Sequence, residues 1–163
     1  MQRVRMALPY LREQNLEAEV LAVDPAQVAA PQDMWLTEGL PSDILVHRVS
    51  ALGLGWRRIP GLGTLTFRAL GALRRTGDAL VKNGRFDLVY FSTTQFGVHT
   101  LGPRWQRKFG VPFVIDYQDP WVNDYYRQHV SAVPPGGRIK YAVVDRLNRW
   151  MEPRVLQIGR AHV

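Results

Sequence analysis

Two carboxylates three residues apart close the stretch GVPFVIDYQDPW, Gly110 to Trp121. Asp116 ends the apolar run VPFVI, and Asp119 stands just before Pro120. A carboxylate within hydrogen-bond reach of a hydroxyl can orient it or take part of its proton. Asp119 can equally be a helix N-cap or a turn-forming residue ahead of proline. For Asp116 the structural role is preferred: an aspartate at a strand end accepting bonds from backbone N–H groups of a neighbouring loop. Trp121 offers a face for stacking on a ligand or for packing in the core. Thr93, Thr94 and Gln95 follow another apolar run, FDLVYFS, and can line a crevice or bond within their own loop. His99 reads as a satisfied helix residue rather than a base. Asp116, Asp119 and Asp124 together suggest a divalent cation. No Asp-X-Asp pair occurs anywhere in the chain.

The elements that must position these residues are legible as alternating apolar runs and helical periodicities. Short runs at Ala18–Val23, Ile44–Val49, Phe86–Thr93 and Val111–Asp116 read as strands. Helices are expected over residues 1–14, about 62–83, 96–109 and from about Ile139 onward. Asn15 stands where a left-handed cap residue is expected, and Asn83-Gly84 is a stop signal. Pro9, Pro103 and Pro153 each kink or delimit a helix. The strands are continuously apolar rather than alternating, the signature of a parallel sheet covered on both faces. The expected fold class is therefore α/β, a Rossmann-like parallel sheet with helices on both faces. In such sheets the ligand crevice lies at the carboxyl ends of the strands, where Asp116 and the loop 93–95 fall.

The chain has 163 residues, 46% hydrophobic and 21% charged, enough for one domain with a real core. It holds no cysteine, so disulfide frameworks and thiolate chemistry are excluded. No run of about 18 apolar residues exists to span a membrane. The four histidines lack metal-ligand spacing. Net charge is +7, and it is uneven: residues 1–49 sum to −3, 50–85 to +6 and 86–163 to +4. The basic segment interleaves Arg57, Arg58, Arg68, Arg74 and Arg75 with Trp56 and aliphatic residues. Cations beside apolar groups suit an anionic membrane surface, at roughly 1 kcal/mol per basic residue. A solvated helix face is the plain alternative. No nucleic-acid motif accompanies the patch, and no nucleic-acid partner is expected.

The segment FDLVYFSTTQFGVHTLGPRWQRKFGVPFVIDYQDPW closely resembles the N-terminal domain of family 4 glycosyltransferases of the GT-B type. YLREQNLEAEVLAV resembles their first helix and second strand, with Asn15 where relatives usually carry glycine. RLNRWMEPRVL resembles the helix before the last strand of that domain. The resemblance implies the acceptor-binding half of an enzyme, residues 1–157. That enzyme would move a sugar from a nucleotide-sugar to a glycan or lipid-linked acceptor at the cytoplasmic face of the membrane. It implies that the donor is bound mainly by a second Rossmann half outside this chain, and that no cofactor and no metal is used, the Asp-X-Asp motif of metal-dependent GT-A enzymes being absent. By the same resemblance Asp119 aligns with the catalytic or acceptor-orienting position after the fifth strand. Asp116, Trp121, Thr93, Thr94 and Gln95 line the acceptor side. The family begins with a strand ahead of the first helix, so the chain is expected to be cut at its start. Residues 158–163, IGRAHV, match a translated sequencing adapter and are expected to be read-through. The competing expectation is a non-catalytic, flavodoxin-like binding module.

Overall fold

A computed structural model describes residues 2–28, 43–53, 55–56, 63–84, 86–117, 119–129, 131–134 and 136–157. The expectation for residues 158–163 lies outside the described residues.

Helix α1, Gln2–Leu11, is followed by a 3₁₀ turn, Arg12–Gln14. Its Leu8 is buried and Val4 and Leu11 are half-buried on the same face. Asn15 takes a positive φ of 56°, and its N–H bonds the Arg12 carbonyl. Asparagine tolerates that region better than most residues, so the helix ends without a glycine. Strand β1, Glu19–Val23, pairs in parallel with β2, Leu45–Val49, with Glu19 opposite Leu45. Helix α2, Leu65–Asn83, starts at Thr64, whose hydroxyl accepts from the Phe67 N–H. Strand β3, Val89–Phe91, pairs in parallel with β4, Phe113–Ile115. Between them lie a 3₁₀ turn, Phe96–Thr100, and helix α3, Leu101–Phe109. Pro103 is the third residue of α3, where a backbone N–H has no partner inside the helix. A four-residue helix, α4 (Tyr125–Gln128), precedes α5, Arg138–Leu156. Pro153 neither ends nor delimits α5, which runs three residues beyond it.

The architecture is mixed α/β, and every strand pairing among the described residues is parallel. It departs from one continuous sheet. β1 and β2 form one pair, β3 and β4 another, and no pairing joins the two among the described residues. A shared core nonetheless spans both. Val49 of β2 and Phe91 of β3 are buried with Ala69, Leu73 and Val81 of α2 and Leu101 and Trp105 of α3. The packing is close: a Cβ on Gly77 would fall 2.2 Å from the Trp105 ring. A second cluster gathers Trp121, Met151 and Val155 against Phe67, Phe96, Phe113, Ile115 and Leu147. Helices α2, α3 and α5 thus cover the face carrying Phe91, Phe113 and Ile115. Tyr90 and Val114 alternate to the opposite face and remain 52% and 46% exposed.

Candidate functional site

The carboxyl edge of the β3–β4 pair is built around Asp116. Its N–H continues the ladder by donating to the Phe91 carbonyl, 2.8 Å. Its side chain accepts from the Ser92 hydroxyl at 2.9 Å and from the Arg3 guanidinium at 2.9 Å. The carboxylate is largely enclosed, with 13% side-chain exposure, while Arg3 stays open at 62%. The backbone N–H partners expected for Asp116 are therefore replaced by two side chains, one from the end of β3 and one from α1. Burial, and after it the Asp116 charge, raise the pKa of neighbouring Tyr90. An exposed ion pair of this kind is worth about 1 kcal/mol or less. The pair matters more for geometry, because it ties the first turn of α1 to the carboxyl edge.

The loop after β3 is held by its own bonds. The Thr93 hydroxyl accepts from the Gln95 N–H, 3.0 Å. The Gln95 amide oxygen accepts from the Thr66 hydroxyl of α2, 2.8 Å. Thr94 is exposed. Thr93 and Gln95 are thereby committed to fixing the loop, and Thr94 is the member open to solvent.

Trp121 lies beside this loop, as adjacent parallel strands require, but its ring is core. It is 3% exposed, stacks on Phe96 at 5.7 Å, and donates its indole N–H to the Asn148 amide oxygen of α5. A stacking platform for a ligand needs an open face, so the acceptor-stacking expectation for Trp121 is corrected. Asp119, two residues earlier, is exposed. Asp124 is turned to Arg149. Among the described residues no group of three His, Asp or Glu gathers as a metal cluster would.

His99, expected as a satisfied helix residue, lies in the 3₁₀ turn at the centre of this region. It is 1% exposed and sits among Phe91, Phe96, Tyr117 and Trp121. Neither ring nitrogen makes a well-formed hydrogen bond. Burial pulls its pKa down to about 4, and the nearby Thr93 backbone offsets little of that. The folded pKa is below the ordinary 6.5, so between those values the unfolded chain binds a proton that the folded chain refuses. Stability is then full above about pH 6.5, falls as pH drops toward 4, and levels off below. The full effect is roughly 3 kcal/mol. His99→Phe should flatten the stability–pH curve across that window, measured by denaturant unfolding at pH 7, 5.5 and 4. An unchanged slope would show that His99 does not carry it.

The basic segment divides. Arg74 and Arg75 are exposed, and Trp56 is 45% exposed. Arg57 and Arg58 lie outside the described residues. Arg68 corrects the surface-patch expectation: it is 4% exposed. Its guanidinium donates to the carbonyls of Leu52, 2.7 Å, and Gln27, 3.2 Å. It clamps the segments that follow β1 and β2, satisfying backbone oxygens that would otherwise be costly to bury.

Sequence reasoning missed Ser92 and Arg3. Ser92 had a signal, since it is the first polar residue after the strand. Arg3 had none, lying 113 positions from its partner. No family model, curated protein or solved structure matches the chain.

Proposed function

We propose that this chain is the acceptor-side part of a family 4, GT-B glycosyltransferase, its two strand pairs belonging to a Rossmann-like domain. The complete enzyme transfers a sugar from a nucleotide-sugar to a glycan or lipid-linked acceptor. One observation carries the reading. Asp119 is an exposed carboxylate presented from a rigid base, because Trp121 beside it is pinned between Phe96 and Asn148. A carboxylate so held can orient an acceptor hydroxyl and accept part of its proton as the bond to the sugar forms. Asp116, held by Ser92 and Arg3, fixes the edge from which Asp119 projects. Thr94 is the loop residue free to meet the acceptor. The donor belongs to a second domain outside this chain. Trp56, Arg74 and Arg75 supply exposed groups for an anionic membrane at its cytoplasmic face.

The test is transfer by the full-length gene product that contains this chain. Given radiolabelled nucleotide-sugars and a lipid extract, it should move label into a lipid or glycan product, and residues 1–157 alone should move none. Failure of the full-length protein to transfer any of the common nucleotide-sugars would leave the binding-module reading in its place.

A further inference from the structure

The outer side of α5 carries apolar and cationic residues in one row. Ile139, Val143, Arg146, Trp150 and Arg154 follow one another at steps of four, three, four and four, the spacing of a single helix face. All five are exposed, Ile139 and Trp150 for more than half of their surface. The opposite side of the helix is committed to the protein. Met151 and Val155 are buried against Trp121, and Asn148 accepts the Trp121 indole N–H. Both acids of α5 lie off the outer row. Asp145 is buried and paired with Arg149 and Arg127. Glu152, two positions from both Trp150 and Arg154, falls on the far side, toward Tyr117. Arg146 and Arg154 have no acidic partner among the described residues. Arg154 instead donates to the Trp150 carbonyl at 2.6 Å and lays its guanidinium 4.2 Å from the centre of the Trp150 ring. Apolar side chains scattered singly over a surface need no account, but a row of them interleaved with unpaired cations does.

We propose that the outer face of α5 docks on an anionic lipid bilayer, with Ile139, Val143 and Trp150 sunk at the acyl boundary and Arg146 and Arg154 on lipid phosphates. Charge decides the occupant. A second copy of the chain would set Arg146 and Arg154 against their own counterparts, and like charges across a closed interface are costly. An anionic bilayer offers an apolar layer and a phosphate layer at adjacent depths, which the short apolar and the long basic side chains of the row reach in turn. Tryptophan suits that boundary, since its ring is apolar and its N–H finds water or a headgroup. The geometry fixes the posture: the row runs about 22 Å from Ile139 to Arg154, so both ends touch the surface only with the helix axis in the membrane plane. This face belongs to a different helix from Arg74 and Arg75, and it sharpens the proposed function. The bilayer lies across α5 from Trp121, about 10 Å away by the thickness of a helix, and Trp121 follows Asp119 by two residues. A lipid-linked acceptor is then in reach. That last step rests on the transferase reading, whereas the docking rests on α5 alone.

The experiment measures co-sedimentation of the chain with vesicles of phosphatidylcholine, alone or mixed with phosphatidylglycerol, and needs no transfer activity. The parent should bind the mixed vesicles at least about tenfold more tightly than the neutral ones, and added salt should weaken that binding. Ile139→Ser with Trp150→Ser, and separately Arg146→Glu with Arg154→Glu, should each lower binding by about tenfold or more with the thermal melt unchanged. Arg74→Glu with Arg75→Glu should lower it less. Acyl chains brominated near the headgroup should quench the parent's tryptophan emission, and Trp150→Phe, which keeps an aromatic ring and the fold, should remove most of that quenching while binding persists. Equal binding to neutral and mixed vesicles, full binding by both α5 double variants, or quenching untouched by Trp150→Phe would each overturn the proposal. So would a parent that ignores vesicles yet is retained on immobilised poly-glutamate through Arg146 and Arg154, which would assign the face to an acidic protein instead.

Discussion

Asp119→Asn in the full-length protein should, on the glycosyltransferase reading proposed above, lower the transfer rate by about 10²-fold or more while leaving nucleotide-sugar affinity nearly unchanged. The substitution keeps size and hydrogen-bonding reach and removes the charge and the basic lone pair. Asp119 is exposed and packs no core, so the folded state should survive. On the proposed reading the donor site belongs to another domain, so ground-state donor binding has no reason to change. The expected pattern is a fall in kcat with a donor Kd within about twofold of the parent, read by steady-state kinetics and by calorimetry with the nucleotide-sugar. Parallel loss of turnover and donor affinity would indicate a folding role. Full activity would remove Asp119 from the site, and Asp116→Asn serves as the comparison. That variant weakens the bonds to Ser92 and Arg3, so its expected loss appears in stability as well as in rate.

Trp105→Ala should cost about 3–5 kcal/mol, the range for truncating a large buried aromatic. Three contacts are lost together. The ring is 4% exposed and stacks on Phe91 at 5.8 Å with an interplanar angle of 12°. It presses on α2 at Gly77, and its indole N–H donates to Asp78 at 2.9 Å. Asp78 also receives Arg104 and Lys108, and Arg104 above all holds its carboxyl well below the usual carboxylate range, with burial opposing. That share of stability is present at neutral pH and lost only as pH falls through the strongly acid range. At this chain length the Trp105→Ala cost corresponds to a melting temperature lower by roughly 10 °C. Trp105→Phe separates the parts. It keeps the ring and loses one hydrogen bond whose acceptor retains two other donors, so its cost should be less than half that of alanine. A Trp105→Ala melting point within about 3 °C of the parent would refute the packing account.

The elements were legible where the signal is local. Asn15 at a helix end, Asn83-Gly84 at another, and the apolar runs around Leu21, Val46, Tyr90 and Val114 depend only on near neighbours, and their positions follow. What required the folded chain were partnerships across distance. Arg68 looked like a surface cation because its acceptors, the carbonyls of Leu52 and Gln27, lie 16 and 41 positions away. Trp121 offered two readings in the sequence, and Asn148, 27 positions on, decided for packing. His99 carried a polar label into an aromatic cage whose Tyr117 and Trp121 lie 18 and 22 positions further on. The division into two strand pairs was equally invisible, since an apolar run announces a strand without naming its neighbour.

The parallel register has a consequence in time. Glu19 pairs with Leu45 and Val89 with Phe113, so partners lie only 26 and 24 residues apart. Each pair closes over a modest loop, and no strand pairing among the described residues spans the two halves. Loop closure of that size is a small entropic barrier, so each half is its own nucleus and can collapse without waiting for the other. Helix α2 touches β1 and β2 on one side and α3 on the other, which makes it the piece on which the halves converge. Docking of the two units across α2 is then expected late in folding, and a chain stopped before it would expose Phe91 and Trp105, which the shared core buries.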